Sequence, residues 1–354
     1  MDKKPKITIL DVARKAGISK GTVDRVLHNR GEVSRKSAEK VRKAIEELGY
    51  TPNLYASLLA TRQDRRIAVL TPDATPGEYW SKLMDGFRQG SENAASFNVL
   101  TDFYTYDQYD EESFSAAAER VLEDEPSGVI LPPLFAGETL GFTQKLSQKG
   151  IPYVYVDSNL EEDENCLAYF GMPMKRSGEL AAFLLTESSS ADEVKDVLVV
   201  RIKRDGSDKS DPTAARREGF AGYMAAHFPL CTIHNVFIDP KDPESTTLSL
   251  DTFFKEHEDV KYVVMFNSRI HLISGYLRSH PLEGRRVVGF DNLDENLKAL
   301  EDGYVSALLC QHTERQSNMA LQTLLDYILM QKIPSRRDNH MHIDILTELN
   351  IEDY

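Results

Sequence analysis

Apolar residues recur at helical spacing through the first fifty positions, then gather into short strand-like runs from position 66 onward. The first helix reads as 9–16, with Thr8 as its cap and Val12, Ala13 and Ala16 facing inward. Gly17 suits a left-handed turn, and Ser19 can cap a second helix over 20–28 that buries Val23, Val26 and Leu27. A third helix opens at Ser34, carries Ala38, Val41, Ile45 and Leu48 on one stripe, and ends at Gly49. Asn53 caps a further short helical segment over 54–61. Beyond it, strands are expected at 67–71, 98–103, 128–131, 153–156, 197–201, 262–266 and 287–290, with helices between them, among others at 79–95, 111–123 and 217–226. Strand and helix in alternation predict parallel sheets joined by right-handed crossovers, with ligands taken at the carboxyl ends of the strands.

Length and composition narrow this picture. A chain of 354 residues has room for two or three domains, and 41% hydrophobic with 28% charged residues describes a soluble globular protein. No apolar run approaches the roughly 18 residues of a membrane helix, and the charged start has no apolar stretch behind it, so neither a membrane span nor a secretory signal is expected. Cys166, Cys231 and Cys310 lie too far apart for a metal site and are odd in number, which suits a reducing cytoplasm. Net charge is −14, but unevenly spread. Residues 1–66 carry 16 basic against 8 acidic residues, and the remainder 26 against 48. A basic module on an acidic body is expected of a protein that meets DNA at one end only.

In a helix-turn-helix the second helix enters the major groove and turns its first residues toward base edges. Here those are Lys20, Gly21, Thr22 and Arg25, with Arg25 able to pair bidentately with guanine. Thr8, Ser19, Thr22 and Asn29 suit phosphate oxygens. A small helical bundle that merely packs would show the same spacing, so spacing alone leaves both readings open.

The residue identities go further. Asp11, Val12, Ala13, Gly17, Ser19, Thr22, Val23 and Arg25, followed by Val33, Ser34 and then Leu48 through Asn53, resemble the headpiece of the lactose/galactose repressor (LacI/GalR) family, and the rest of the chain has that family's length and strand order. Two positions depart from the pattern: Asp24 stands where a serine is usual, and Gly21 leaves a base-reading position without a side chain. The resemblance implies an all-α helix-turn-helix headpiece (1–50), a hinge helix and linker (51–65) and an α/β two-lobed body (66–354) of the type I periplasmic-binding-protein-like fold. Its first lobe would span about 66–167 and 311–332, and its second about 168–310 and 333–354. In the hinge, Asn53, Ala56 and Leu59 would meet the minor groove, Leu59 wedging a base step open.

For the body, the resemblance implies that a small-molecule effector, a sugar or sugar derivative, is held between the lobes by Tyr79, Trp80, Asp157, Arg216, Asn267, Asp291 and Gln311. Flat rings suit sugar C–H faces, while carboxylates, amides and an arginine fork match hydroxyls. Ser158 and Ser268 replace an arginine and an aspartate common among sugar-binding relatives, which points away from a common hexose. The partners implied are double-stranded operator DNA, the effector and a second copy of the chain in a homodimer, with no membrane and no cofactor. Repression is the family's usual mode, with activation as an alternative. A sugar-binding transport protein would share the body but lack the headpiece. No nucleophile-elbow, phosphate-loop or zinc motif supports an enzyme, and His340 with His342 fits one face of a strand more simply than a metal pair.

Overall fold

A computed structural model describes residues 7–27, 33–50, 65–203, 213–280 and 284–353. The chain divides into two compact units, Met1–Gln63 and Asp64–Tyr354. In the first, α1 (Ile9–Ala16), α2 (Lys20–Leu27) and α3 (Arg35–Leu48) enclose Val12, Val23 and Val41, each fully buried, with Ala13, Ala44 and Tyr50 beside them. Both expected glycine stops are present. Gly17 and Gly49 adopt φ of 65° and 60°, and the following amides, Ile18 and Tyr50, reach back to Ala13 O and Ile45 O at 3.1 and 3.0 Å.

The second unit is two parallel sheets covered by helices on both faces. One contains β1 (Arg65–Pro72), β2 (Val99–Tyr106), β3 (Gly128–Leu131), β4 (Tyr153–Asp157), β5 (Ala168–Gly171) and β11 (Asp338–His340), in the order β11-β5-β4-β3-β1-β2. The other contains β6 (Asp196–Ile202), β7 (Thr232–Ile238), β8 (Tyr262–Met265), β9 (Arg286–Phe290), β10 (Ala307–Gln311) and β12 (Ile343–Leu346), in the order β12-β10-β9-β8-β6-β7, with only β12 antiparallel to its neighbour. Central strands such as β3 and β8 are buried at every residue, as double coverage by helices requires. The covering helices are α4 (Tyr79–Ala95), α5 (Glu111–Glu123), α6 (Ala136–Gln148), α7 (Met174–Thr186), α8 (Ala214–His227), α9 (Pro243–Glu256), α10 (His271–Ser279), α11 (Asp294–Glu301) and α12 (Thr313–Met330).

The pairing moves the expected lobe borders. β5 pairs with β4 from Val154↔Ala168 onward, and β11 pairs with β5, so residues 168–171 and 338–340 belong to the first lobe and not to the second. Gln311 ends β10 in the second sheet, whereas the expected border assigned it to the first lobe. Sheet membership is settled by hydrogen bonding between strands, and the chain changes lobe after β5 and β11 rather than before them, and after the last residue of β10 rather than one residue earlier.

Candidate functional site

On the small unit, Ser19 precedes α2 and accepts the Thr22 amide at 3.2 Å, while the Ser19 and Thr22 hydroxyls lie 2.9 Å apart. Lys20, Gly21 and Arg25 are exposed, Thr22 half-buried, and a β-carbon placed on Gly21 would meet only open space. Among the described residues Arg25 makes no ion pair, so its guanidinium is available to an acceptor. The Thr8 hydroxyl is used locally. It donates to Asp11 Oδ2 at 2.7 Å, as does the Thr8 amide at 2.9 Å, and that hydroxyl holds the Asp11 carboxyl below its ordinary range. Asn29, Asn53, Ala56 and Leu59 lie outside the described residues.

All seven expected effector residues meet at a single cavity of about 70 Å³ between the two lobes. Tyr79 and Trp80 open α4, their rings edge to face at 5.0 Å. The Tyr79 hydroxyl donates to Asp157 Oδ1 at 2.7 Å, and Trp80 Nε1 to Gln108 Oε1 at 3.4 Å. Asp157 ends β4 and Asp291 follows β9, both buried and both in the left-handed region, with φ of 65° and 68°. Such a backbone is uncommon for a residue with a β-carbon, and aspartate is among the side chains that tolerate it best. Gln311 Nε2 reaches the carboxylates from both lobes, Asp157 at 3.4 Å and Asp291 at 3.3 Å.

Arg216 supplies the positive charge. Its Nη1 donates to Phe266 O at 2.7 Å, and its guanidinium covers the Phe290 ring at 4.4 Å. Two glycines fix the position of this arginine. A β-carbon on Gly178 of α7 would fall 1.8 Å from Arg216 O, and one on Gly219 of α8 would fall 1.9 Å from Lys175 O, so the helices touch backbone to backbone. Asn267 accepts the Arg269 amide at 3.0 Å, a local turn bond that leaves its amide nitrogen for other partners. Burial raises both carboxyls, Asp291 to about 6, and Arg216 is the largest influence opposing this at each. Burial also holds the Tyr79 phenol well above its usual range, with Asp157 adding to it.

Several lining residues went unnoticed in the sequence. Gln108 lies just beyond β2, where the rule for ligand positions in open sheets would have found it. Arg269, two residues past Asn267, spans the lobes to Glu78 at 3.1 Å. Leu134 and Met174, the latter opening α7, also form part of the wall, and an apolar side chain carries no signal that separates such a wall from core.

Comparison with known proteins bears on both units. Residues 8–53 match the model of bacterial regulatory proteins of the lacI family, and residues 67–332 match a periplasmic binding protein domain. A solved structure of a putative LacI transcriptional regulator from Bacteroides fragilis is 33% identical, with a TM-score of 0.76, over 82% of this chain and the whole of that one. This chain belongs to the LacI family. The regulator is also 24% identical over 325 residues to the transcriptional regulator MalR of Streptococcus pneumoniae, covering 91% of this chain and 93% of MalR. It is 25% identical over 338 residues to the sucrose operon repressor of Pediococcus pentosaceus, covering 93% of each. The LacI-family protein is thus a DNA-binding transcriptional regulator and not an enzyme. No helix among its described residues is long and apolar enough to cross a membrane.

Proposed function

We propose that this protein is a cytoplasmic repressor that binds a near-palindromic operator as a homodimer and is controlled by a carbohydrate held between its lobes. The observation that carries the reading is the convergence of two carboxylates, an arginine, two amides and an aromatic pair, drawn from both lobes, on one space. A ligand bridging Asp157 and Asp291 would favour one lobe arrangement over another, and only such differential affinity can shift DNA binding. Names among the relatives, a sucrose operon repressor above all, support a sugar as effector and repression as mode. Exposed apolar side chains on the edge strands, Leu100 and Phe103 on β2 and Phe237 on β7, support sheet edges that a second copy covers. Lys20, Thr22 and Arg25 are assigned to base edges and Ser19 to phosphate, with Thr8 and Gly21 at the same surface.

The test is a gel-shift titration against genomic operator fragments recovered by pull-down, alongside thermal shift with a sugar panel. Arg25→Ala should weaken binding to the recovered operator by about 1–3 kcal/mol, with little change on unrelated DNA and none in sugar response. Equal binding of wild type and variant to operator and random duplex would defeat the assignment.

A further inference from the structure

A left-handed turn at an aspartate persists only where its surroundings hold the backbone there, and the two cavity acids are held differently. In the second lobe the hold is local. Asn296 Nδ2 donates to Asp291 O at 3.0 Å and lies 3.1 and 2.9 Å from Phe290 O and Ser268 O, all residues of that lobe. In the first lobe Asp157 O accepts the Tyr169 hydroxyl at 3.0 Å, and the same hydroxyl reaches Met172 O at 2.9 Å. A phenol has one hydrogen, so it serves both carbonyls only while they stay side by side. Burial holds this phenol well above its usual range, which keeps that hydrogen in place.

The two carbonyls stand on either side of a lobe border. Tyr169 packs in the core of the first lobe and Met172 in a core cluster of the second. Between them lies Gly171, the register partner of Asp157. A β-carbon there would fall 2.2 Å from the Tyr169 hydroxyl and 2.5 Å from Asp157 O, so only glycine leaves the hydroxyl its place. The Met172 sulfur stands 3.8 Å from Arg216 Nη2, which carries the connection from the acid of one lobe to the arginine of the other. The crossover after β11 meets the same ring. His340 stands edge to face with Tyr169 at 6.2 Å, and the Met341 amide donates to Gly171 O at 2.8 Å.

We infer that Tyr169 is a positioning residue that ties Asp157 to the crossover between the lobes, its hydroxyl holding the left-handed turn on one side and the Met172 carbonyl on the other. A movement of one lobe against the other then pulls on the Asp157 backbone, whereas the Asp291 backbone, held within its own lobe, is not pulled. This rests on the reading of Asp157 as an effector contact and adds the route by which that contact reaches the crossover.

The test compares the full chain with Tyr169→Phe and with para-aminophenylalanine placed at position 169, which returns a donor to the ring. Two quantities are read without any sugar: the Cα resonances of isotope-labelled aspartates, which report the backbone turn, and affinity for the recovered operator. Tyr169→Phe should move the Asp157 resonance and leave that of Asp291 in place, and should change operator affinity by about threefold or more. The amino ring should restore both. An unmoved Asp157 resonance, an operator affinity changed less than this, or equal movement at both aspartates would overturn the inference. So would failure of the amino ring to restore them, since loss of ring packing would then explain the effect. Any of these results spares the effector reading, which the sugar panel tests by itself.

Discussion

The two lobes are built to the same strand order, and each places an aspartate at the carboxyl end of its third strand from the β11 or β12 edge. Asp157 and Asp291 share a left-handed backbone, deep burial and the Gln311 amide. They differ in their side-chain donors. Asp157 also takes the Tyr79 hydroxyl at 2.7 Å, whereas Gln311 is the only side-chain donor to Asp291 among the described residues. The first lobe therefore holds its carboxylate in a finished arrangement, and the second leaves its carboxylate with acceptor capacity to spare. A ligand donor gains more at Asp291, where it meets an acid that burial has raised to about 6, than at one already satisfied.

The largest effect should come from removing what the two acids share. Arg216 is the strongest influence keeping both ionised, so Arg216→Met leaves two buried charges without compensation. Loss of about 3–5 kcal/mol at pH 7 is expected, with part of it recovered at pH 5 as the acids protonate. Urea denaturation at the two pH values measures this, and a loss below about 1 kcal/mol at pH 7 would show that the acids do not depend on the guanidinium.

Next is the unfinished acid by itself. The folded state holds the Asp291 proton up to about pH 6, while the unfolded chain releases it near pH 4. Between those values the native form binds more protons, so stability conferred by this group is full below about pH 4 and is lost as pH rises through about 6, by about 3 kcal/mol. Asp291→Asn should flatten that fall, and identical pH profiles for wild type and variant would refute it. Tyr79→Phe should act chiefly on the other acid, costing about 1–3 kcal/mol and deepening the fall that burial already gives Asp157. If the variant's pH profile matches wild type, the claimed asymmetry is absent.

How much of this was legible beforehand depends on which force wrote it. Helix α1 came out over 9–16 and α4 over 79–95 as expected, because each shows its burial as a periodic stripe, and α1 also shows its ends in Thr8 and Gly17. β11 carries only Asp338, Asn339 and His340, whose place in the sheet comes from backbone bonds to β5, and no hydrophobic pattern could reveal it. β7 is an edge strand with an exposed, mixed face, so its alternation is blurred. The seven cavity residues were named through family resemblance, which carried positions that local pattern does not encode. Their partners were beyond it. That Tyr79 binds Asp157, and that Gln311 spans both acids, follows from contacts over 78 and 154 positions of chain. The repeat between lobes was equally hidden, being a repeat of strand order and not of residues.

The smallest expected effect is the one that tests whether the comparison is complete. Gln311 serves both acids, but at 3.3 and 3.4 Å its bonds are long, and its own Oε1 has no partner among the described residues. Gln311→Met keeps the volume, removes the shared donor and also removes that unmatched acceptor. These changes oppose each other, so stability at pH 7 should fall by only about 0.5–1.5 kcal/mol. The pH dependence is the sharper readout. Asp291 loses its sole side-chain donor and should titrate higher, whereas Asp157 keeps the tyrosine and should move less. Carboxyl titrations followed by NMR distinguish the two, and equal upward shifts at both positions would mean that Tyr79 gives Asp157 no advantage.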